Sequence, residues 1–397
     1  MKSPNLPAQP NKLQWKAVSL LFPAAAFFAW LMTACSTDLG GGLAGAAGAQ
    51  ETMIAQELSA TPVLQPAEST PAPADAAKPL PQTQATESQP GGVVAYIAEE
   101  NGANEVTAVN LDNGQVSSLT HDQAQKNSPA WSPNGEYIAF AENFNGNWDI
   151  YLVRVEDGVV TRLTDDPAKD WWPSWSPDGF YLTFESFRDG NFELYKTDIY
   201  RTTVSRLTDT PAMEARPVWS PDGQWIAFVS NRDGSADIYK MDSGGGNVQR
   251  LTADSTPDGS PAWSPDGQWI AFTSWRDGNP EIYRMRADGS EVARLTSNNI
   301  RDDYPVWSPD GGSLAFISGE SGFENVAVIN AEGGNLRQLT APPGNNNNPC
   351  WSPDGKYLAI QSNRSGANAI YILNLNGEII KSVSLPHQES SEPIWKR

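Results

Sequence analysis

The chain is poor in the residues on which most catalytic and metal sites depend. Its 397 residues include two histidines, His121 and His387, and two cysteines, Cys35 and Cys350. So few thiols exclude an internal disulfide framework. The sequence also lacks a G-x-S-x-G segment, which excludes the nucleophile elbow of the α/β-hydrolases. We therefore predict no catalytic residue, no metal site and no cofactor.

Basic residues are scarce as well. Lysine and arginine number 27 against 47 acidic residues, which gives a formal net charge of −20 at pH 7. The first 35 residues contain three lysines and no acid, so the remainder of the chain is more acidic than the total. A strongly acidic surface disfavours nucleic acid and anionic lipid headgroups as ligands, whereas cationic or neutral ligands fit it.

Only one long hydrophobic run is present, from Ala17 to Met32. Three lysines precede this run, and it leads into LMTACS. The arrangement resembles the signal peptide of bacterial lipoproteins, which implies that residues 1–35 are a leader and that Cys35 carries the lipid. An uncleaved membrane anchor is the alternative, although the run is short for a spanning helix and contains a proline. Both interpretations predict an exported, membrane-tethered protein.

Aromatic residues are missing from the segment that follows. Residues 36–90 contain no phenylalanine, tryptophan or tyrosine and are rich in alanine, glycine, proline, threonine, glutamine and serine. Such a composition buries too little apolar surface to offset the entropy of ordering the chain. We therefore predict that residues 36–90 are a disordered tether, followed by a folded body over residues 91–397. A tether of this length spans on the order of 40 Å on average.

Within the folded body, tryptophan recurs with a strict period. Seven tryptophans lie 44 residues apart, each with a proline two residues before it: Trp131, Trp175, Trp219, Trp263, Trp307, Trp351 and Trp395. A period of about 40 to 45 residues is the length of one four-stranded propeller blade, and apolar residues alternate here as they do in strands. We expect the indole rings to pack between neighbouring blades and the prolines to stand at the start of a strand.

Each repeat divides into four predicted strands. In residues 181–223 these are YLTFES, FELYKTDI, VSRLT and RPVWS, after which SPDG is typical of a turn. The first repeat begins at its second strand, while the segment SEPIW around Trp395 has no strand after it. We therefore predict an all-β, seven-bladed propeller of four-stranded antiparallel blades, closed by the C-terminal strand joining the N-terminal blade.

The repeat also resembles a known family. The segment WSPDGQWIAFVSNRDGSADIYKMDSGGGNVQRLT, starting at Trp219, is similar to the propeller repeat of TolB and related bacterial envelope proteins, and the similarity covers roughly residues 91–397. The resemblance implies the fold and an envelope location. It implies little about function, because propellers serve in binding, scaffolding and catalysis. TolB also has an N-terminal α/β domain, and nothing before Val93 resembles one.

One face of the propeller is predicted to carry the variable residues. In antiparallel blades the hairpin between the second and third strands and the loop before the inner strand lie on the same face, opposite the SPDG turns. Three positions before each proline differ between repeats, which frees them for a ligand. We predict a ligand-binding surface at this channel mouth from Asp170, Trp171, Trp172, Glu214, Arg216, Asp258, Asp302, Asp303, Tyr304, Asn346, Asn347 and Asn348. The hairpins add Phe144, Trp148, Phe187, Trp275 and Phe323.

Two further groups of residues have a functional and a structural interpretation. Arg188, Arg232 and Arg276 are each followed by Asp-Gly, with a second acid four residues after that Asp. Paired carboxylates suit Ca²⁺, but an arginine-carboxylate bridge within a hairpin explains the same residues, and we favour it. His121 and His387 lie in loops, where we interpret them as surface groups. Propeller-shaped pectate lyases have similar repeats but use several histidines around a metal, and this chain lacks such a set.

These observations favour a non-catalytic binding or scaffold module. Its predicted partner is an envelope protein or peptide, or a glycan, and the propeller is predicted to be a monomer, lipid-anchored to the cell membrane or outer membrane and facing the periplasm or the extracellular space. The first alternative is an envelope hydrolase or lyase that acts on glycans through Asp170, Glu214, Asp258, Asp302 or Asp303. The second alternative is a structural spacer, which predicts a face without a contiguous aromatic patch.

Overall fold

The computed structural model describes residues 89–200, 203–384 and 388–397. The predicted leader with Cys35, most of the predicted tether and His387 lie outside the described residues, so the boundaries at 35 and 90 stay predictions. Within the described part of the chain, no helix is long and apolar enough to cross a membrane.

The described residues form seven four-stranded antiparallel sheets, which are the blades of a propeller. Blade 1 contains β1 (Val93–Glu100), β2 (Ala103–Asn110), β3 (Val116–Ser118) and, as its inner strand, β28 (Ser390–Trp395). From the inner strand outward, blade 2 contains β4 (Gln125–Trp131), β5 (Tyr137–Phe144), β6 (Asn147–Arg154) and β7 (Val160–Arg162). Blade 3 contains β8 (Asp170–Trp175), β9 (Tyr181–Ser186), β10 (Glu193–Asp198) and β11 (Val204–Arg206).

The remaining blades repeat the same order. Blade 4 contains β12 (Glu214–Trp219), β13 (Trp225–Ser230), β14 (Asp237–Asp242) and β15 (Gln249–Arg250). Blade 5 contains β16 (Asp258–Trp263), β17 (Trp269–Ser274), β18 (Glu281–Arg286) and β19 (Ala293–Arg294). Blade 6 contains β20 (Asp302–Trp307), β21 (Ser313–Ser318), β22 (Asn325–Asn330) and β23 (Arg337–Gln338). Blade 7 contains β24 (Asn346–Trp351), β25 (Tyr357–Ser362), β26 (Ala369–Asn374) and β27 (Ile379–Ser382). The predicted all-β, seven-bladed fold is confirmed.

The propeller closes through its two chain ends. The C-terminal strand β28 pairs antiparallel with β1, with Val94 opposite Trp395 and Ala95 opposite Ile394. The indole of Trp131 in blade 2 donates to the Ile394 carbonyl at 3.3 Å, so blade 2 also contacts the closing strand. The predicted clasp of one C-terminal and three N-terminal strands is therefore confirmed.

Every inner strand contains a β-bulge at the same place. In each inner strand the register shifts across the repeated proline and the residue before it, for example between Trp171 and Ser174 in blade 3. The residue before that proline has a φ of 50° to 56° in all seven blades: Ser128, Trp172, Arg216, Ser260, Tyr304, Asn348 and Glu392. A positive φ is unusual for residues other than glycine. A bulge redirects side chains and interrupts the ladder, so this residue leaves the ordinary strand alternation.

The bulge corrects one expectation about the inner strands. We expected the prolines at the start of these strands, with the three preceding residues in a loop. Instead β12 begins at Glu214, three residues before Pro217, and the strand continues through the proline. The bulge accommodates the missing proline N–H, because the residues there are already out of ladder register. The three variable positions therefore lie on strands, and only the third has bulge geometry.

The repeated tryptophans join neighbouring blades. Each buried indole packs in an apolar cluster shared by two blades, as Trp263 does with Ala227 of blade 4 and Phe272 of blade 5. Five indoles donate to an inner-strand carbonyl of the preceding blade: Trp175 to Ala130 (3.0 Å), Trp263 to Val218 (3.2 Å), Trp307 to Ala262 (3.0 Å), Trp351 to Val306 (3.1 Å) and Trp131 to Ile394 (3.3 Å). The tryptophans thus supply both apolar area and a directional bond at the blade contacts.

Two blade contacts use a variant of this bond. Trp219 donates to the Thr183 hydroxyl at 3.1 Å, and that hydroxyl donates to the Ser174 carbonyl at 3.3 Å, so one side chain relays the bond. The Trp395 indole donates to the Gly91 carbonyl at 3.2 Å, while its backbone N–H meets the Cys350 sulfur, also at 3.2 Å.

The indole hydrogen bond can be tested apart from the ring. Trp307→Phe keeps most of the apolar area but leaves the half-buried Ala262 carbonyl without its donor, which costs about 1 kcal/mol. We expect urea denaturation to show a loss of that size. Trp219→Phe should lower the stability by less, because the Thr183 hydroxyl still donates to the Ser174 carbonyl after the indole is removed. Equal stability of wild type and Trp307→Phe would contradict a contribution from the bond.

Candidate functional site

The strand order separates two faces of the propeller. In each blade the turn between the second and third strands lies on the same side as the segment leading to the next inner strand. We call this side the hairpin face. The SPDG turns lie on the other side and are alike. In blade 3, the Ser176 hydroxyl accepts from the Tyr181 N–H at 2.9 Å, and the Asp178 carboxylate accepts from the Phe180 N–H at 3.0 Å. The predicted site residues all belong to inner strands and are distributed by their position relative to the bulge.

The first position of each inner strand faces the interior of its own blade. Asp170, Glu214 and Asp258 are fully buried. Each pairs with the arginine of the RDG hairpin in its blade: Asp170 with Arg188 (3.0 Å), Glu214 with Arg232 (2.7 Å) and Asp258 with Arg276 (3.1 Å). Burial raises the pKa of these three carboxyl groups, and the adjacent arginine acts in the opposite direction. The structure keeps them apart, one in each blade.

The first position differs in the later blades. Asn346 of blade 7 accepts from Arg364 at 2.6 Å, so an amide oxygen replaces the carboxylate. Asp302 of blade 6 accepts from the Asn298 amide at 2.7 Å, and burial raises its pKa. In blade 2 the signs are exchanged, because the buried Lys126 lies 3.2 Å from Glu105 and 3.7 Å from Glu142. The residues at this buried polar position thus have different partners in different blades.

The RDG hairpins have structural contacts for both of their acids. In blade 3, Asp189 accepts from the Tyr195 hydroxyl at 2.5 Å and lies 3.4 Å from Arg206. Glu193 pairs with the same Arg206 at 3.1 Å. Arg188 stacks on Tyr195, with 4.3 Å between its Cζ atom and the ring centre. In the described part of the chain, no group of three or more His, Cys, Asp or Glu residues is arranged to hold a metal ion.

The second position carries an aromatic group in blade 3. Trp171 lies 6.2 Å from Trp148 of blade 2 and 5.9 Å from Phe192, measured between ring centres, and Phe192 meets Phe187 edge-on at 5.1 Å. The Lys169 ammonium lies 5.1 Å from the Trp171 ring. We call Trp148, Trp171, Phe187 and Phe192 the aromatic patch. Phe187 is 44% exposed, so the patch opens on the hairpin face.

The third position, at the bulge, brings three predicted residues together. The Arg216 guanidinium of blade 4 lies 5.0 Å from the ring of Trp172 in blade 3 and 5.0 Å from the ring of Tyr304 in blade 6. It also donates to the Tyr304 hydroxyl at 3.1 Å. Because blade 5 stands between blades 4 and 6, the side chain of Arg216 reaches past blade 5 on the channel side. Trp172, Arg216 and Tyr304 form what we call the channel stack.

The other predicted residues bond around this stack. Asp303 accepts from the Thr273 hydroxyl at 2.7 Å and from Arg301 at 2.8 Å. Asn347 donates to Glu324 at 3.3 Å, and Asn348 donates to Gln361 at 3.1 Å. Asp303 and Asn347 thus bond to neighbouring blades, whereas Asn348 bonds within blade 7.

The other aromatic residues predicted for this face are spread over the hairpins of blades 2, 5 and 6. Phe144 and Phe323 are exposed at the hairpins of blades 2 and 6. Trp275 is half-buried in blade 5. The patch of blades 2 and 3 is therefore the larger aromatic group of the hairpin face within the described residues.

Two residues of the site were missed from the sequence. Phe192 completes the aromatic patch, and its signal was an aromatic residue directly after a hairpin turn. Glu185 in β9 accepts from the Arg216 backbone N–H at 2.7 Å. Burial raises the pKa of Glu185 to about 7. The sequence feature that could have identified Glu185 is an acid at a repeat position where other blades have Ala141, Val229 and Thr273.

The buried ion pairs predict an asymmetric response to mutation. Arg232→Met leaves the Glu214 carboxylate buried without a cation, which costs about 3–5 kcal/mol. Adding Glu214→Gln should recover part of that loss, because the buried charge is removed. Urea denaturation of both variants measures the effect, with Arg154→Met, which removes an exposed pair with Asp157, as a control expected to change little. A double variant no more stable than Arg232→Met would contradict this account.

Glu185 predicts a pH effect with a defined sign. Its folded-state pKa of about 7 exceeds the unfolded value of about 4.3, so the stability it contributes is present at low pH and is lost as the pH rises through that window. Glu185→Gln removes this dependence. The wild type should therefore lose stability relative to the variant by about 1.4 kcal/mol per pH unit at most between about pH 4.3 and 7, measured by denaturation at each pH. Parallel profiles would contradict the raised pKa.

Solved structures share this architecture. TolB from Acinetobacter baumannii is 23% identical, with a TM-score of 0.54 over 77% of this chain and 66% of that protein, just under two thirds of its length. A protein assigned to TolB from Agrobacterium tumefaciens is 26% identical, with a TM-score of 0.50 over 64% of this chain and 89% of that one. An oligogalacturonate lyase in complex with manganese is 16% identical, with a TM-score of 0.55 over 74% of this chain and 85% of that one.

Sequence comparison gives a family assignment. No curated protein matches the chain. The family model described as the TolB beta propeller domain matches residues 83–209, 188–256, 209–322 and 302–397. These matches extend over all seven blades and well over half of the chain. The protein therefore belongs to the family of TolB beta-propeller domains.

Proposed function

We propose that the protein is a non-catalytic binding module that holds a protein partner on its hairpin face. The observation that carries this proposal is the aromatic patch of blades 2 and 3, which continues through Trp171 and Trp172 into the channel stack. Aromatic residues and arginine are the residues most enriched at the centres of protein interfaces. A structural spacer has no need for such a surface on one sector of one face.

The asymmetry between blades supports the same proposal. The SPDG turns repeat with the same hydrogen bonds, as a structural requirement does. The aromatic patch, in contrast, is built by residues that occur together only in blades 2 and 3, where Trp148 and Trp171 meet across the blade contact. Residues that depart from the repeat are free of its structural constraint, and here they gather at one place.

The hydrolase or lyase alternative has weaker support. Asp170, Glu214 and Asp258 are fully buried, and each is neutralised by an arginine of its own blade. A pair of catalytic carboxyl groups must flank the scissile bond, whereas these groups lie in three separate blades. The likeness to oligogalacturonate lyase is a likeness of fold.

We further propose that the protein acts outside the cytoplasm on a lipid anchor. The support is the LMTACS motif ending the apolar run, with Cys35 as the lipidated residue, and the family membership of the propeller. Residues 36–90 would then separate the propeller from the membrane by on the order of 40 Å. A flexible tether of that reach lets the hairpin face meet a partner elsewhere in the envelope.

Affinity capture tests the proposed function. The full chain, purified in detergent, is used to capture proteins from a detergent extract of the native envelope, beside the variant Trp172→Ala/Phe187→Ala. The matched control is Phe180→Ala/Tyr200→Ala, which removes two aromatic residues that are 53% and 70% exposed on the opposite face. We expect one saturable partner that the control retains and the hairpin-face variant loses by at least about tenfold.

Three outcomes would count against this function. Equal capture by both variants would remove the hairpin face from the proposal. Capture of glycan instead of protein would replace the partner class. No capture by wild type, with all variants equally stable, would favour the spacer.

A further inference from the structure

The arginine of the channel stack differs from most other partly buried arginines of the propeller, although Arg364 also meets an amide oxygen in place of a carboxylate. Arg188, Arg232 and Arg276 each pair with a carboxylate of their own blade. Arg162 and Arg294 do the same with Asp149 and Glu281. Arg216, within the residues that the structure describes, forms no ion pair, and its side chain donates to the hydroxyl of Tyr304.

The position of Arg216 is fixed by its surroundings. Its backbone adopts a φ of 55° at the bulge, and its backbone N–H donates to Glu185. Trp172 and Tyr304 each lie 5.0 Å from the guanidinium carbon. Because rings on two blades hold the guanidinium, little side-chain entropy remains to be lost when it binds a ligand.

The guanidinium has donors to spare. A guanidinium carries five N–H donors in a planar fork that matches a carboxylate, and the Tyr304 hydroxyl accepts one of them. Burial disfavours the charged form of the Arg216 guanidinium, whereas the nearby carboxyl groups of Glu185 and Asp303 favour it. The pKa of Arg216 is raised. Their oxygens, however, accept from other groups, including the Arg216 N–H and the Thr273 hydroxyl.

We propose that Arg216 is a receptor for a single carboxylate, presented by an extended, apolar peptide segment of the partner. This inference rests on the proposed function and names the chemistry that the same face recognises. The carboxylate lies on the free edge of the guanidinium, and the apolar side chains lie over Trp172 and the aromatic patch. The acidic propeller, with the chain's formal charge of −20, repels ligands with many negative charges.

The width of the channel restricts how the carboxylate arrives. Arg216 of blade 4 reaches past blade 5 to Tyr304 of blade 6, so this pair occupies part of the opening at this level. A chain end or one extended acidic side chain fits such a space, whereas a folded loop does not. The C-terminal carboxylate and an Asp or Glu side chain are the two sources of the same chemistry.

Matched peptide pools test the inference. Two pools of random N-acetylated hexapeptides, one with free C-terminal acids and one with C-terminal amides, are passed over the immobilised full chain, and retained peptides are quantified by mass spectrometry. The variants are Arg216→Gln and Arg216→Lys. The control is Arg154→Gln, which removes one positive charge at the end of β6 on the opposite face. Thermal unfolding of each variant checks that the fold is retained.

The expected result is retention of the acid pool at least about tenfold above the amide pool, with apolar residues enriched before the carboxylate. Arg216→Gln should abolish this preference, Arg216→Lys should retain part of it, and Arg154→Gln should leave it unchanged. Enrichment of Asp or Glu within retained amides, lost in Arg216→Gln, would instead assign the carboxylate to a side chain.

Other outcomes would overturn the inference. Equal retention of both pools without acidic enrichment, no retention of either pool, or a preference unchanged in Arg216→Gln would each do so. The captured envelope partner separates this inference from the proposed function. A partner lost with Trp172→Ala/Phe187→Ala but retained by Arg216→Gln would leave the binding module standing and remove its carboxylate receptor.

Discussion

The contact between neighbouring blades, made by one tryptophan in each repeat, is the interaction on which the rest of the structure depends. A single four-stranded sheet of this size cannot bury its faces alone, so each blade is stable only against its neighbours. The indole supplies a large apolar area there, and its N–H fixes the register by donating to the preceding inner strand, as Trp307 does to Ala262. The clasp through Ile394 extends the same bond across the chain ends.

The β-bulge of the inner strand converts this uniform scaffold into a site. It sorts three successive residues into three environments: the blade interior, the hairpin face and the channel. Asp170, Trp171 and Trp172 are neighbours in sequence, yet one pairs with Arg188, the next packs in the aromatic patch and the third contacts Arg216. Variation at the first position is therefore variation of a buried pair, while variation at the third reaches the channel.

The buried pairs show how a repeat tolerates polar residues inside its blades. Leaving one partner without the other is costly, so a change at one position must leave the other residue bonded. Asp170 with Arg188 becomes Asn346 with Arg364 in blade 7, and blade 2 exchanges the signs with Lys126 between Glu105 and Glu142. The acids at this position in blades 3, 4 and 5 are thus explained by their arginines. The residues left over, chiefly the aromatic ones and Arg216, carry the functional argument.

The sequence by itself determined the fold, the blade number and the closing strand, because a 44-residue period with alternating apolar residues admits one architecture. It also identified the three positions before each proline as positions that differ between repeats. Only the tertiary structure decided which of these residues share a surface. The backbone φ at the bulge decides whether Asp258 faces a ligand or Arg276. The contacts of Arg216 with Trp172 and Tyr304 join residues that are 44 and 88 positions apart. Local sequence patterns carry no information about such distant contacts.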